Sequence, residues 1–347
     1  MDSEPHAAAG PAGSSPWRLA LRRLRRNRVA LAFGGLFVLI VLFVLAAPLW
    51  AVHVAGTGPN RGHTLEKVEV EGEQREVVSI EGHPIGPLWL SAGGKFFLGA
   101  DGRLGRDEMV RLMYGGRASL LIGFAATLLT TVLATVLALL AGYYRGWVDG
   151  LISWALDTIW AFPVLLLGIA LGITLALGGL KVGPLDIPSG SLWITILIIG
   201  VVLVPYMARP LRGAVLSLRE KEFVEAAVAG GAGPLRVMFG ELLPNLASTI
   251  VVFFTLGVAN AMLFEAALSF LGVGVQPPDA SWGSMVGEGF ELIGSSPQLT
   301  LLPGSMIFLT VLAVNVFGDG LRDALDPHSK VRLEAHAGIP EPEGTAI

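Results

Sequence analysis

Runs of apolar residues long enough to cross a bilayer recur six times along the chain, separated by polar segments of unequal length. Val29–Trp50 is 22 residues without a charge, roughly 33 Å as a helix at about 1.5 Å per residue and so sufficient for the hydrocarbon core. Ala118–Gly142 is a second uncharged run, and Leu151–Gly178 a third, interrupted only by Asp157. Ser191–Ala208, Leu246–Phe264 with a continuation through Glu265 to Leu271, and Leu299–Gly318 complete the set. The pattern predicts an all-α membrane protein with six transmembrane helices. The first run is longer than the core of a cleaved signal peptide, and five more follow it.

The polar segments set a direction. "WRLALRRLRRNR", ahead of the first span, carries six arginines and no acid, which by the positive-inside rule holds the N-terminus in the cytoplasm. Six crossings return the C-terminus to the same side. The Tyr143–Gly150 turn and the Arg209–Asn245 segment then face the cytoplasm. The second of these holds Arg209, Arg212, Arg219, Lys221 and Arg236, whereas the outer loop 272–298 has no Lys or Arg. Segment 51–117 runs against the rule with eight such residues, but loops of that length weigh little.

The predicted organisation is a basic cytoplasmic tail over 1–28, a first span over 29–50, an external insert and surface helix over 51–117, a core over 118–326, and a cytoplasmic tail over 327–347. The core carries spans two to six and a cytoplasmic loop over 209–245. Residues 1–16 are rich in Ala, Gly, Pro and Ser and read as disordered. Arg18–Arg28 reads as a short basic helix on the anionic membrane surface rather than a nucleic-acid patch. Within the insert, "KVEVEGEQREVVSIEG" alternates apolar and charged residues around Gly72 and predicts a β-hairpin. "GRDEMVRLMYGGRAS" predicts an amphipathic helix lying at the outer surface before the second span.

Composition narrows the chemistry. Hydrophobic residues are 53%, charged residues only 15%, and glycines number 45, as expected of a polytopic chain whose helices approach closely. The absence of cysteine excludes disulfides, thiolate metal sites and a Cys nucleophile. No G-x-x-x-x-G-K-[ST] loop is present, so the chain is not expected to bind ATP. Neither H-E-x-x-H nor G-x-S-x-G occurs. Asp157 and Asp319 superficially pair as a membrane aspartyl protease would require, but "NVFGDG" lacks the first glycine of G-x-G-D, and Asp319 sits in a helix-end charge cluster with Arg322 and Asp323. His53, His63 and His83 share the insert at wide spacing and read as solvated side chains rather than metal ligands.

The stretch "EFVEAAVAGGAGPLRVMFGELLPN", residues 222–245, is too polar to cross a bilayer. Ala214–Ala229 has no Pro or Gly and carries a partial apolar stripe of Leu211, Val215, Leu218 and Val224, which predicts one helix. Glu225 is followed by Ala226, Ala227, Ala229, Gly230 and Gly231, a surface stripped nearly to backbone. Gly230-Gly231 ends the helix and Gly233-Pro234 starts another; Leu243, Pro244 and Asn245 open the fifth span. On these grounds the segment is either a docking surface for a partner or an amphipathic loop resting on lipid.

Glu225-Ala226-Ala227, Gly231 six residues after the glutamate, and Leu243-Pro244 resemble the "EAA" loop of the inner-membrane permease subunits of ABC importers. "GWVDGLISWALDTIWAFPVLLL", "EAALSFLGVGVQPPDASWGSMV" and "GDGLRDALDP" resemble the dipeptide and oligopeptide branch, in its C-type subunit, and the likeness is collinear from about Leu98 to Pro327. The usual "LGTD-x-x-GRD" stands here as "LGADGRLGRD", and Gly240-Glu241 replaces Arg-His before Leu-Pro.

The resemblance implies a type I ABC importer permease that binds no cofactor itself and is not an enzyme. ATP and Mg are used by two partner ATPase subunits, which the 209–245 loop would engage through Glu225, Ala226, Ala227, Gly231, Leu243, Pro244 and Asn245. A homologous second permease subunit and an extracytoplasmic solute-binding protein complete the implied assembly in the inner membrane. The implied cargo is di- or oligopeptides, with nickel, glutathione or another small solute as the alternative. A self-sufficient secondary carrier would need intramembrane ion sites and often shows broken helices; the sequence displays neither. Within the spans an acid needs a partner or water. Asp157 and Glu265 each fit either the translocation path or a tie between helices; for Glu265 the tie, through capping or an outer-loop partner, is the favoured reading. Asn260 and Asn315 read as helix–helix hydrogen-bonders.

Overall fold

In the computed structural model, described over residues 21–325 apart from residue 71, residues 90–92 and residue 184, the chain is mostly helical, with two short hairpins. Helix α1 (Arg28–Leu45) is capped by Asn27, whose side chain accepts from the Ala30 N–H at 3.0 Å, satisfying one of the otherwise unpaired donors of the first turn. A short α2 (Ala47–Trp50) and a π-turn, Ala51–Ala55, carry it to the outer face. Of the expected basic surface helix, residues 21–24 are helical, and Arg18 lies outside the described residues along with both chain ends.

The insert forms the expected hairpin, β1 (Lys67–Val70) against β2 (Glu73–Glu76), antiparallel with Val70 opposite Glu73. Val70, Val77, Ile85, Leu88, Phe96 and Ala100 bury one another in a small core of their own.

The expected separate surface helix does not exist. Glu108–Tyr144 is one continuous helix, α3, of 37 residues, about 55 Å long and therefore longer than the hydrocarbon is thick. Its first three turns are enclosed rather than resting on lipid: Glu108, Val110, Arg111, Leu112 and Met113 are all buried. Gly115 and Gly116 do not break the helix because neighbours press against them; a Cβ on Gly116 would stand 2.6 Å from Trp282 and from Val44. α3 is the central post, packing on α1 and on six helices still to come.

The third predicted span is broken. α4 (Gly146–Trp160) and α5 (Val164–Gly178) meet at 85° across Ala161–Pro163. Pro163 supplies no N–H and forces Phe162 out of helical geometry. A second hairpin, β3 (Leu180–Val182) with β4 (Leu185–Ile187), leads into the fourth span. That span also bends, by 40°, between α6 (Leu192–Val202) and α7 (Val204–Arg219), where Pro205 opens α7. Broken helices, absent from the sequence reading, are thus present twice.

The predicted single helix over 214–229 is likewise two: α7 ends at Arg219, and α8 (Glu222–Ala229) starts afresh after Glu220-Lys221. α9 (Pro234–Arg236), a π-turn Val237–Leu242 and α10 (Leu243–Phe270) then run on as one 37-residue rod. Pro244 lacks the donor of a regular α-helical turn, and the widened π-turn just before it lets the rod continue. α11 (Trp282–Phe290) begins at a reciprocal cap between Ser281 and Ser284, and α12 (Gln298–Leu325) is the last span. The largest core joins α1, α3, α10, α11 and α12 through Val44, Leu112, Met262, Trp282 and Val314.

Candidate coupling surface and intramembrane charges

α8 and α9 form the helix–turn–helix that the 222–245 stretch predicts. The turn is Gly230–Gly233, with Gly231 at φ +81°, a left-handed conformation open to glycine without strain. The unit is fastened from beneath: Val224 is buried with Val215, Leu139, Val237, Met238 and Leu242. Its other face is bare. Glu225, Ala226, Ala229 and Gly231 are exposed and Ala227 half-buried, while Phe223, Val228, Leu235 and Phe239 stand exposed around them. Among the described residues Glu225 has no ion-pair or hydrogen-bond partner on its side chain. Leu243 is half-buried and Pro244 and Asn245 are exposed at the rod's start, where the Asn245 amide donates to the Glu241 carbonyl at 2.7 Å. Gly231 is explained by its own backbone, and a Cβ there would meet nothing; Ala226 has no such intramolecular reason to be small.

Above this surface, α4 is tied to α7 by two ion pairs. Arg212 donates twice to Asp149, both at 2.5 Å, the two-pronged geometry that guanidinium and carboxylate favour. Asp157 accepts from Arg209 at 2.5 Å, and the Arg209 guanidinium lies 4.2 Å from the Trp160 ring centroid. The second pair is open: 64% of the Asp157 side chain and 41% of that of Arg209 are exposed. Asp157 thus ties α4 to α7 with most of its side chain exposed. Asp149 was missed. Its signal was present: Asp149 and Asp157 lie eight apart, on one helix face, and Arg209 and Arg212 three apart.

Glu265 is 1% exposed and has no cation beside it. Ser119 of α3 donates to one of its oxygens at 3.0 Å and Ser269 to the other at 2.6 Å. Ser119 in turn accepts from the Trp282 N–H at 3.1 Å, the Trp282 indole donates to the Leu112 carbonyl at 2.8 Å, and Ser269 accepts from the Val275 N–H at 3.1 Å. The "EAALSF…ASWG" motif is thus an internal knot joining α3, α10 and α11, with Glu265 hydrogen-bonded at its centre. Asn260 and Asn315 make no side-chain hydrogen bond among the described residues, contrary to expectation; Asn260 instead faces a cavity.

The "LGADGRLGRD" loop makes a second knot outside. Asp101 accepts from the N–H groups of Arg103 and Leu104 and from Arg106. Arg106 and Arg111 both donate to Glu288 of α11, at 2.9 and 3.0 Å. Asp107 caps α3, accepting from Val110 at 3.0 Å and Phe96 at 2.6 Å; burial pushes its carboxyl above the usual range, opposed by those backbone donors. His63 is not solvated: it is buried between the Thr57 hydroxyl at 2.8 Å and Glu66 at 2.5 Å. His53 and His83 are exposed, and no group of three metal-ligating side chains occurs among the described residues.

The two bent spans and the exposed helix pair at one end of them belong to a transport permease. The chain belongs to the family of binding-protein-dependent transport system inner membrane components, whose model matches residues 134–331; the N-terminal transmembrane domain of oligopeptide transport permease C matches residues 15–60. It is 38% identical, over 91% of both chains, to a dipeptide transport system permease of Alkalihalophilus pseudofirmus. To a di/tripeptide permease of Pseudomonas aeruginosa it is 40% identical over 70% of this chain and 76% of that one. A glutathione permease of Pectobacterium atrosepticum is 35% identical over 91% and 92%. The fold matches a chain of the inward-facing MetNI methionine ABC transporter with TM-score 0.52 at 19% identity, covering 63% of this chain and 97% of that one. The protein is a multi-pass inner-membrane permease subunit of an ABC importer.

Proposed function

We propose that the chain forms half of the translocation path of a di- or oligopeptide importer and couples it to a separate ATPase through the 209–245 segment. The second half would come from a homologous permease chain, the energy from two cytoplasmic ATPase subunits using ATP and Mg, and the solute from an extracytoplasmic binding protein. The arginine-rich start supports an orientation with both termini and α8–α9 in the cytoplasm. Peptide cargo is supported by the names of the relatives; glutathione, itself a tripeptide derivative, is the second candidate.

The observation that carries the coupling role is the bare face of α8. A helix resting on lipid would press apolar side chains into the acyl boundary, whereas here an unpaired carboxylate and small residues sit at the centre of a rim of Phe223, Val228, Leu235 and Phe239. That is a close-approach surface with an anchoring charge.

Ala226→Trp fills it without touching the Gly231 turn, and Glu225→Lys reverses its charge. Removing one partner of a desolvated charged contact costs about 2–5 kcal/mol, enough to disrupt docking. Both variants are expected to remain inserted and abundant while ATPase copurification and peptide uptake fall at least tenfold. Normal copurification in both overturns the coupling role; normal copurification with no uptake of any peptide or of glutathione by the wild type overturns the cargo alone.

A further inference from the structure

A cavity of about 490 Å³ opens where the two broken spans face the rod, within the roughly 300–1,000 Å³ of small-molecule sites. Its walls come from the α4–α5 break, with Trp160 and Val164; from the α6–α7 break, with Leu203 and Tyr206; and from α10, with Asn260 and Leu263. The lining is apolar except for the Asn260 amide, the Tyr206 hydroxyl and the Trp160 indole N–H, and none of the three makes a side-chain hydrogen bond within the described chain. Trp160 is shared between this wall and the Arg209–Asp157 pair.

These facts select an occupant. Irregular backbone at membrane depth is tolerated only where it is enclosed by protein or lines a watery cavity. Lipid tails are disfavoured as well, because they would leave the Asn260 amide and the Tyr206 hydroxyl of the lining without partners. An apolar socket with one amide, which both donates and accepts, matches a peptide: its large apolar side chain fills the socket while its backbone amide pairs with Asn260.

We propose that this cavity is a side-chain selectivity site on the translocation path, taking aromatic or large aliphatic peptide side chains, with Asn260 reading the adjoining peptide group. The proposal rests on the peptide-cargo reading.

The test is uptake of labelled Ala-Ala and Phe-Phe by cells carrying the assembled importer, in wild type, Leu263→Trp and Asn260→Leu. Each variant is normalised to wild type for each peptide, which cancels the binding protein's own preference. Leu263→Trp fills the socket and is expected to reduce Phe-Phe uptake at least tenfold relative to Ala-Ala. Asn260→Leu keeps the volume and is expected to reduce both peptides alike, several-fold. ATPase and second-permease copurification stay at wild-type levels in both. An unchanged Phe-Phe to Ala-Ala ratio in Leu263→Trp overturns the site. Loss of the second permease from either variant shows that the cavity is packed by that subunit instead and also overturns it. Wild-type cells importing neither peptide remove the cargo reading and this proposal together, a result distinct from the other two.

Discussion

Replacing Glu265 separates a tie from a transport charge. Glu265→Ala deletes the acceptor for both Ser119 and Ser269, and membrane hydrogen bonds of this kind contribute about 0.6–1.7 kcal/mol each. It also leaves a void in a site 1% exposed; at about 24 cal/mol per Å³ of unfilled cavity, a loss of some 50 Å³ adds roughly 1 kcal/mol. The sum is about 2–5 kcal/mol. Glu265→Gln keeps the shape and one acceptor, and its amide can donate to Ser119, so its cost is expected to stay below about 1 kcal/mol. The measurement is the thermal midpoint of the detergent-purified assembled importer, with membrane abundance and uptake alongside. Alanine should lower the midpoint and abundance clearly, and glutamine should leave both near wild type with uptake retained. Wild-type stability in both variants with uptake abolished would refute the tie and put the Glu265 charge on the path.

Two further outcomes follow from ion pairs. Asp149→Arg or Arg212→Asp alone leaves a half-buried charge facing its like and is expected to lower the thermal midpoint, while the double swap restores most of the loss, with a coupling of about 1–3 kcal/mol; independent, additive losses would show that the pair does not tie α4 to α7. Burial alone would raise the Glu66 carboxyl, but hydrogen bonds from Lys95 and His63 outweigh it and hold the group below its ordinary value. Its stabilisation of the insert is therefore present above the ordinary carboxylate range and lost as pH falls through the lowered value. Proteolysis of the insert should accelerate with acid in wild type and far less steeply in Glu66→Gln; equal slopes would refute the assignment.

Local signals were legible and long-range ones were not. Apolar runs located the four long helices and the two bent pairs, Gly230-Gly231 and Gly233-Pro234 located the turn between α8 and α9, and alternation around Gly72 located the hairpin. The break at Phe162-Pro163 stayed hidden because hydropathy runs unbroken across it, although the proline itself was the signal. The polar start of α3 read as a surface helix because its sequence shows one apolar stripe, while the loop and α11 that bury its other side come from far along the chain. Ser119 lies 146 residues from Glu265, and no pattern near either residue announces the other.

The unbroken run from Pro234 to Phe270 fixes a phase as well as a distance. One residue added within an α-helix turns everything beyond it by about 100°, so an insertion between Pro244 and Asn260 would swing Asn260 out of the cavity and carry Glu265 away from Ser119. The π-turn at Val237–Leu242 is the equivalent of one extra residue already absorbed, and it lies upstream of both. Changes of chain length are accordingly expected to collect in the turns of the two hairpins, which carry no buried side chain of the spans, and to be absent from the rod.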